Sequence, residues 1–155
     1  MIVEKIYWDS DAFLGWLQQE AGKVELCAGT LERAKGGEVV IITSTLTIAE
    51  VLWMRNAPRI TLDKATAVRK FFRHSYFRLR NVTRSIAESA QDLVWHESIP
   101  SKDAIHVATA LDAGASVFET FDKDLLRKSG NVGTSALVIR KPQAPRQPSL
   151  GPELG

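Results

Sequence analysis

The sequence contains few cysteines and histidines, and this scarcity excludes several kinds of site. Cys27 is the only cysteine among 155 residues, so no disulfide can form within the chain, and a reducing compartment is expected. The three histidines, His74, His96 and His106, are far apart and lack the spacing of zinc ligands. Neither a disulfide-stabilised fold nor a structural zinc site is therefore expected.

Long apolar segments are also lacking. The apolar run at residues 39–42 is much shorter than the roughly 20 residues that a membrane-spanning helix requires. The N-terminus does not show the basic segment and apolar run of a signal peptide. These two absences predict a cytoplasmic protein that does not enter a membrane.

Charge of one sign is not in excess, because 20 lysines and arginines are balanced by 18 aspartates and glutamates, for a formal net charge of +2. The hydrophobic fraction of 45% and the charged fraction of 25% are ordinary for a globular protein. A chain of this length is expected to form one domain with a sizeable core. The slightly basic balance is compatible with a nucleic-acid partner but does not require one.

What the sequence does contain is a regular alternation of strand-like and helix-like segments. Apolar or alternating patterns predict strands at residues 2–8, 38–42, 76–82, 116–120 and 136–139. Helical spacing predicts helices at residues 12–20, 23–35, 45–55, 62–74, 83–96, 101–113 and 123–128. This order predicts an α/β fold with a mainly parallel central sheet. From residue 141 the chain is rich in Pro, Gln, Ser and Gly, so we expect a domain at residues 1–140 and a disordered tail at residues 141–155.

Two acidic residues follow predicted strands. Asp9 comes directly after the first strand, and Asp122 follows the strand at residues 116–120. The carboxyl ends of parallel strands meet at one edge of the sheet, which is where such folds gather functional groups. Each residue also has an ordinary explanation, because aspartate is a good helix N-cap and turn residue. Position alone does not decide between these two roles.

Two further acids lie within predicted helices. Glu50 shares a helix face with Leu46 and Trp53, where a carboxylate is costly to bury unless it lies at the edge of that face or has a basic partner. Asp103 lies in the first turn of its helix, where the helix dipole alone favours a negative charge. His106, one turn further on, could form a hydrogen bond with Asp103, although a single histidine on a helix is more often a packed residue.

Taken together, these four acids indicate a metal site. Carboxylates gathered at one edge raise one another's pKa and need a cation in order to stay ionised. Oxygen ligands select hard cations such as Mg²⁺ or Mn²⁺. These cations neutralise phosphoryl oxygens and activate water for in-line attack, so the pattern points to phosphoryl chemistry.

Residues 69–80 form a basic segment with interleaved aromatic residues. Tyr76 or Phe77 could stack on bases, but burial in the core is the favoured interpretation of these aromatic side chains. Three arginines of the segment are candidate phosphate contacts: Arg73, Arg78 and Arg80. Four apolar residues elsewhere could form a dimer or partner surface, although core packing is the simpler interpretation of each: Trp16, Leu17, Trp53 and Met54.

Four segments, in their order and spacing, resemble the PIN-domain family, and in particular bacterial toxins of the VapC type: YWDSDAFLGWL, STLTIAEVL, SKDAIHVATALDAGA and ETFDKDLL. The resemblance spans about residues 3–139, and DAIHVATAL is its most specific segment. It implies a three-layer α/β/α fold and hydrolysis of RNA phosphodiester bonds with Mg²⁺ or Mn²⁺. It also implies frequent homodimers and, for VapC-type toxins, inhibition by a VapB-type antitoxin.

Residue by residue, the resemblance implies metal binding by four acids: Asp9, Glu50, Asp103 and Asp122. Asp124 matches a position that is often acidic in the family and would support the fourth ligand, while Ser10 and Thr120 match its hydroxyl positions. Two residues depart from the pattern. Asp11 stands where Asn or Ser is more usual, and Phe121 is bulkier than the polar residue often found there, which affects the orientation expected for Asp122.

Two other functions fit part of the sequence. Asp9-Ser10-Asp11 also resembles the start of a haloacid-dehalogenase-type phosphatase, in which Asp9 would be a covalent nucleophile. Against this, Phe13 stands where that family has Thr or Val, and Glu50 has no clear role. The second alternative is a non-catalytic PIN-like module that binds RNA, and the presence of all four acids counts against it.

Overall fold

The central sheet has five strands, all parallel. The computed structural model describes residues 2–51, 61–133 and 137–145. Its strands are β1 (Glu4–Trp8), β2 (Val39–Ser44), β3 (Phe77–Arg80), β4 (Val117–Glu119) and β5 (Val138–Arg140). They lie in the order β3-β2-β1-β4-β5, and every neighbouring pair is parallel. All five predicted strands are confirmed, with ends shifted by one or two residues, and residue 136, where the last predicted strand begins, lies outside the described residues.

Helices connect the strands within the described residues: α1 (Ser10–Leu17), α2 (Val24–Lys35), α3 (Thr45–Glu50), α4 (Leu62–Phe71), α5 (Arg84–Glu97), α6 (Ser101–Asp112) and α7 (Lys123–Leu126). They occupy the predicted positions, although residues 52–55 of the helix predicted at residues 45–55 lie outside the described residues. Among the described helices, the longest is α5, with 14 residues. In the part of the chain that the structure describes, no helix is long and apolar enough to cross a membrane.

Helices pack against both faces of the sheet. Tyr7 of β1 and Phe118 of β4 belong to a buried cluster completed by residues of α5, α6 and α7. Ile6 of β1 and Val117 of β4 belong to a second cluster, completed by residues of α1, α2 and α4. Because successive side chains of a strand point to opposite faces, neighbours in sequence enter different clusters. This arrangement is the predicted three-layer α/β/α fold.

The chain changes direction across the sheet at the border between β1 and β4. From β1 it proceeds to β2 and β3 on one side, and later returns to β4 and β5 on the other. In open α/β sheets such a border leaves a crevice beyond the carboxyl ends of the strands, where ligands bind. Asp9 follows β1 and Thr120 follows β4, so both residues lie at this crevice.

After β5 the chain continues across helix α2. Pro142 is buried, and a Cβ atom at Gly29 would overlap the carbonyl oxygen of Gln143 and lie 2.6 Å from the carbonyl carbon of Ala144. Glycine at this position therefore allows a close backbone contact. Residues 146–155 lie outside the described residues, so the domain boundary at residue 140 and the disordered tail remain predictions.

We expect Gly29→Ala to change stability in opposite directions in the full chain and in a chain ending at residue 140. In the full chain the added methyl group must displace residues 143–144, which costs about 1–3 kcal/mol. Without that segment, alanine in a helix interior stabilises the fold by roughly 0.5–1 kcal/mol. Urea unfolding measures both free energies.

Gly36→Ala is the control for this comparison, because the nearest neighbours of a Cβ atom at Gly36 are the carbonyl oxygens of Glu32 and Arg33, at 3.4 and 3.7 Å. It should change the free energy of unfolding equally in the two chains. Equal effects of Gly29→Ala in both chains would contradict a close contact between α2 and residues 143–144.

Candidate active site

Asp9 acts as a helix cap and also faces the crevice between β1 and β4. Its Oδ1 accepts a hydrogen bond from the backbone N–H of Ala12 at 3.0 Å, which caps helix α1. Its Oδ2 accepts a hydrogen bond from the hydroxyl of Thr120 at 2.5 Å. The side chain is buried, the N-cap interpretation is confirmed, and the role of Asp9 as a metal ligand stays a prediction.

Burial dominates the electrostatics of Asp9. Loss of hydration raises the pKa of its carboxyl group to about 7, and the nearby charge of Asp11 adds to the rise. His106 and the hydrogen bonds from Thr120 and Ala12 act in the opposite direction but do not cancel the effect of burial. Near neutral pH this carboxyl group is therefore only partly ionised unless a positive charge is close.

Asp103 lies among the other acids. Burial raises its pKa to about 6, and the charges of Asp122, Asp11 and Glu50 contribute to the increase, while His106 lowers it. These contributions require the carboxylates to lie near one another, because Coulomb interactions between exposed groups fade within about 10 Å in ordinary salt. The charges of Asp122, Asp11 and Glu50 therefore act together on Asp103, and the joint role of these acids as metal ligands stays a prediction.

Asp122 is held by the first turn of helix α7. Its Oδ1 accepts hydrogen bonds from the backbone N–H groups of Asp124 and Leu125, at 2.9 and 3.0 Å. Its own N–H donates to the hydroxyl oxygen of Thr120 at 3.0 Å. Thr120 therefore connects Asp122 to Asp9. Asp124 is exposed, and its Oδ1 lies 2.7 Å from Nη1 of Arg127 in an ion pair.

The first turn of α7 separates two surface pockets. Asp122 and Asp124 line both of them. The first pocket also contains Asp11, Lys23 and Phe121, and the Lys23 ammonium lies 5.2 Å from the centre of the Phe121 ring. Asp103, Arg127 and Lys128 line the second. Both pockets thus combine acids with cations, and a polyanion can bind there once the acids are neutralised.

Glu50 has a histidine partner that the sequence did not indicate. Its Oε1 lies 2.5 Å from Nε2 of His106, and Nδ1 of His106 lies 2.6 Å from the hydroxyl of Tyr7. The possible hydrogen bond between His106 and Asp103 is not formed, because both ring nitrogens are engaged elsewhere, and the burial of His106 confirms the favoured interpretation of a packed residue. Burial, followed by the charge of Asp9, raises the pKa of Tyr7 far above its usual range.

Glu119 is a buried acid that sequence reasoning missed. Its Oε1 accepts hydrogen bonds from Nε1 of Trp8 at 2.8 Å and from the hydroxyl of Thr30 at 2.6 Å. Arg140 donates to its Oε2 at 3.4 Å. These bonds connect β1, β4, β5 and α2, so Glu119 serves the fold. A charged residue at the end of a short apolar strand was the available signal, since such a group is rarely buried without partners.

The aromatic side chains of the basic segment at residues 69–80 mostly pack in the hydrophobic core. Phe72 and Phe77 are buried and Phe71 and Tyr76 pack against the same cluster, which confirms the core interpretation. Nη1 of Arg80 lies 3.2 Å from Oδ2 of Asp112, and both side chains are close to half exposed. Trp16 and Leu17 also pack against this cluster. Trp53 and Met54 lie outside the described residues.

The donor chemistry at the crevice suits a hard divalent cation. All the candidate ligands are carboxylates, and a cation among them would offset the repulsion and desolvation that raise the pKa values of Asp9 and Asp103. Within residues 2–51, 61–133 and 137–145, no three acidic, histidine or cysteine side chains are already arranged as ligands of one ion. Binding would therefore require rotation of some of these side chains.

Comparisons with known proteins agree with this architecture. The sequence matches the model of the PIN domain over residues 6–131. The structure is similar to VapC20 of Mycobacterium tuberculosis, described as a toxin that cleaves the sarcin–ricin loop, with a TM-score of 0.58 and 20% identity, covering 77% of this chain and 91% of that chain. Comparison with curated protein sequences gives no significant match.

This structure is also similar to two other solved structures. A toxin–antitoxin complex from Klebsiella pneumoniae has a TM-score of 0.58 and 21% identity, covering 77% of this chain and 89% of that chain. FitAcB from Neisseria gonorrhoeae has a TM-score of 0.59 and 15% identity, covering 88% of this chain and 97% of that chain. At these identities the likeness concerns the fold.

Proposed function

Because this chain belongs to the PIN-domain family, we propose that it is a Mg²⁺- or Mn²⁺-dependent endoribonuclease. The observation that best supports this proposal is the burial of acids, together with the repulsion from neighbouring carboxylates, beyond the carboxyl ends of the strands. There the pKa of Asp9 rises to about 7 and that of Asp103 to about 6. Carboxylates in such surroundings favour a bound cation, which replaces the proton and removes their repulsion.

Four acids would hold the cation, with Asp124 in support: Asp9, Glu50, Asp103 and Asp122. A divalent cation in this position would neutralise a phosphodiester oxygen and lower the pKa of a water molecule. The chain itself orients the acids. Thr120 fixes one oxygen of Asp9, and the first backbone N–H groups of α7 fix one oxygen of Asp122. Prior orientation reduces the reorganisation needed when the substrate binds.

A cleavage assay on single-stranded RNA tests this proposal. We expect cleavage with Mg²⁺ or Mn²⁺, loss of cleavage in EDTA, and products with 5′-phosphate and 3′-hydroxyl ends. RNA binding that survives EDTA, with no cleavage under either metal, would support the non-catalytic module instead.

Hydrolysis of p-nitrophenyl phosphate, with RNA left intact, would support the phosphatase. Two sequence features count against that alternative: Phe13 stands where that family has Thr or Val, and Glu50 has no clear role in it.

A toxin role is part of the same proposal. We propose that the protein is the toxin of a VapBC-type pair, that it forms a homodimer, and that a VapB-type antitoxin inhibits it. VapC20 is described as a toxin and the Klebsiella structure as a toxin–antitoxin complex. Growth arrest on expression, relieved by a small protein encoded in the neighbouring reading frame, would support the role. Unimpaired growth with an active nuclease would contradict it, and light scattering would determine the oligomeric state.

Arg80 is the arginine of the basic segment that we expect to contact RNA. It pairs with Ser44 in the sheet register at the carboxyl end of β2, and its ion pair with Asp112 is exposed enough to exchange for a phosphate. Arg80→Ala should weaken RNA binding. It should also reduce, by about 0.7, the slope of the logarithm of the RNA association constant against the logarithm of the salt concentration, because one phosphate contact on a single strand contributes about that much. Fluorescence anisotropy at several salt concentrations measures the slope.

Arg84→Ala is the control, because Arg84 is exposed on α5 and paired with Glu88, one turn further along the same helix. It removes the same charge and should leave the salt slope unchanged. An equal loss of slope in both variants would mean that Arg80 contributes only to the general charge of the protein.

A further inference from the structure

Three side chains form a continuous hydrogen-bonded chain behind the proposed metal site. Tyr7 of β1 and His106 of α6 are both fully or almost fully buried. The Tyr7 hydroxyl lies 2.6 Å from Nδ1 of His106, and Nε2 of His106 lies 2.5 Å from Oε1 of Glu50. The Tyr7 ring stacks on Phe118, with ring centres 5.0 Å apart, which holds this end of the chain in the core.

The acceptor fixes the direction of the hydrogen bond to Glu50. A carboxylate oxygen accepts, so the Nε2–H of His106 donates to Oε1 of Glu50. At the other end, the Tyr7 hydroxyl and Nδ1 of His106 share a hydrogen bond that holds the imidazole ring in place. The backbone N–H of Ser44 donates to the Tyr7 oxygen at 3.1 Å and holds the phenol in turn.

Glu50 needs such an anchor because of its place in the fold. It is the last residue of α3, a helix of six residues, and a helix this short does little to fix a side chain. His106 belongs to α6, where it lies one turn after Asp103 and on the same side of the helix. Helix α6 thus contributes one proposed metal ligand and, through His106, holds a second ligand that comes from a different helix.

We propose that Tyr7 and His106 are positioning residues that orient the Glu50 carboxylate toward Asp103, so that its remaining oxygen is presented to a divalent cation. The inference rests on the proposed function, since Glu50 is a ligand only if the site binds a metal. Hydrogen bonds to ligating carboxylates are worth about 10- to 100-fold in metal affinity or activity. Neither residue touches the substrate in this scheme.

Two substitutions at position 106 separate the two hydrogen bonds of the imidazole. In His106→Gln the amide nitrogen reaches the place of Nε2 and retains a donor for Glu50. In His106→Asn the shorter amide reaches only the place of Nδ1 and retains the contact with Tyr7. Calorimetry with Mn²⁺ gives the metal affinity of each full-length variant, thermal unfolding in EDTA gives its stability, and RNA cleavage gives kcat and KM separately.

His106→Asn should lower Mn²⁺ affinity by about 10- to 100-fold and reduce kcat with little change in KM. His106→Gln should remain close to the wild type in Mn²⁺ affinity and in kcat. Tyr7→Phe, which keeps His106 but removes the hydrogen bond at its Nδ1, should give a smaller loss of Mn²⁺ affinity. It serves as the second variant if His106→Asn does not fold. Thr109→Val is the control, because Thr109 is buried on α6 and its hydroxyl donates only to the carbonyl of Ile105.

The outcomes are distinct. Wild-type Mn²⁺ affinity in His106→Asn would overturn the inference, as would equal losses in His106→Asn and His106→Gln that follow their unfolding temperatures. In both cases a wild-type protein that binds Mn²⁺ and cleaves RNA leaves the proposed function standing. A wild type that binds no Mn²⁺ and cleaves no RNA would overturn the proposed function, and the inference with it.

Discussion

Asp103→Asn is expected to reduce RNA cleavage at least about 100-fold, since even partners outside the first coordination shell are worth about 10- to 100-fold. Asparagine keeps the size of the side chain but removes the charge that a cation requires. The fold should persist, because Asp103 is crowded by Asp122, Asp11 and Glu50, and removal of its charge relieves repulsion. Initial rates at saturating Mn²⁺, together with the unfolding temperature in EDTA, measure the two effects.

Asp112→Asn is the matched control for this substitution. Asp112 is the last residue of the same helix, about half exposed, and paired with Arg80 instead of the other acids. It should leave cleavage at the wild-type level or slightly above, because Arg80 is freed. A folded Asp103→Asn protein with full activity in a metal-supplemented assay would remove Asp103 from the proposed ligands.

Asp9→Asn is expected to stabilise the metal-free protein at pH 8 while it abolishes cleavage. A buried aspartic acid whose pKa rises from 3.8 to about 7 costs the folded state up to about 4 kcal/mol when it is ionised. The amide avoids this cost, and its oxygen can still accept the capping hydrogen bond from Ala12. Denaturant unfolding in EDTA, with and without the substitution, measures the difference.

The pH dependence of this effect has a definite sign. With a raised pKa, Asp9 binds more protons in the folded than in the unfolded chain, so its protonated form favours folding. That contribution is complete below pH 3.8 and is lost as the pH rises to about 7. The wild type should therefore lose stability relative to Asp9→Asn across this window.

Saturating Mn²⁺ should reverse the order at pH 8, because a cation that binds only the folded wild type stabilises it by mass action. Asp9→Asn should gain little from the metal. If the stability difference between the two proteins did not change between pH 4 and pH 8 in EDTA, the carboxyl group of Asp9 would not be perturbed by burial.

Local sequence patterns were sufficient for the order of elements and for the acids at the strand ends. Asp9 and Asp122 could be predicted because each follows a short apolar strand, and the carboxyl ends of parallel strands share an edge. Their roles as caps could also be predicted, since aspartate before a helix commonly binds the first N–H groups. The hydrogen bond that Asp9 accepts from Thr120 could not be predicted in this way, because the two residues lie 111 positions apart.

Contacts between distant segments could not be predicted in this way. Spacing along α6 suggested Asp103 as the partner of His106, because neighbours one turn apart share a helix face. The actual partners, Tyr7 and Glu50, are 99 and 56 positions away, and only the completed sheet brings them together. The contact of residues 143–144 with Gly29 is also a tertiary contact. Composition alone predicted a disordered tail from residue 141, because it carries no information about such contacts.

The open side of the sheet has a practical consequence for any study of its arginines. Among the described strands, β3 is at one edge, and Leu79 at its middle is 39% exposed. Unpaired edges of this kind invite strand addition between copies, which charged neighbours discourage. Arg78 and Arg80 flank Leu79 and so protect against aggregation. Their neutral variants should be checked for monodispersity before weaker RNA binding is attributed to a lost contact.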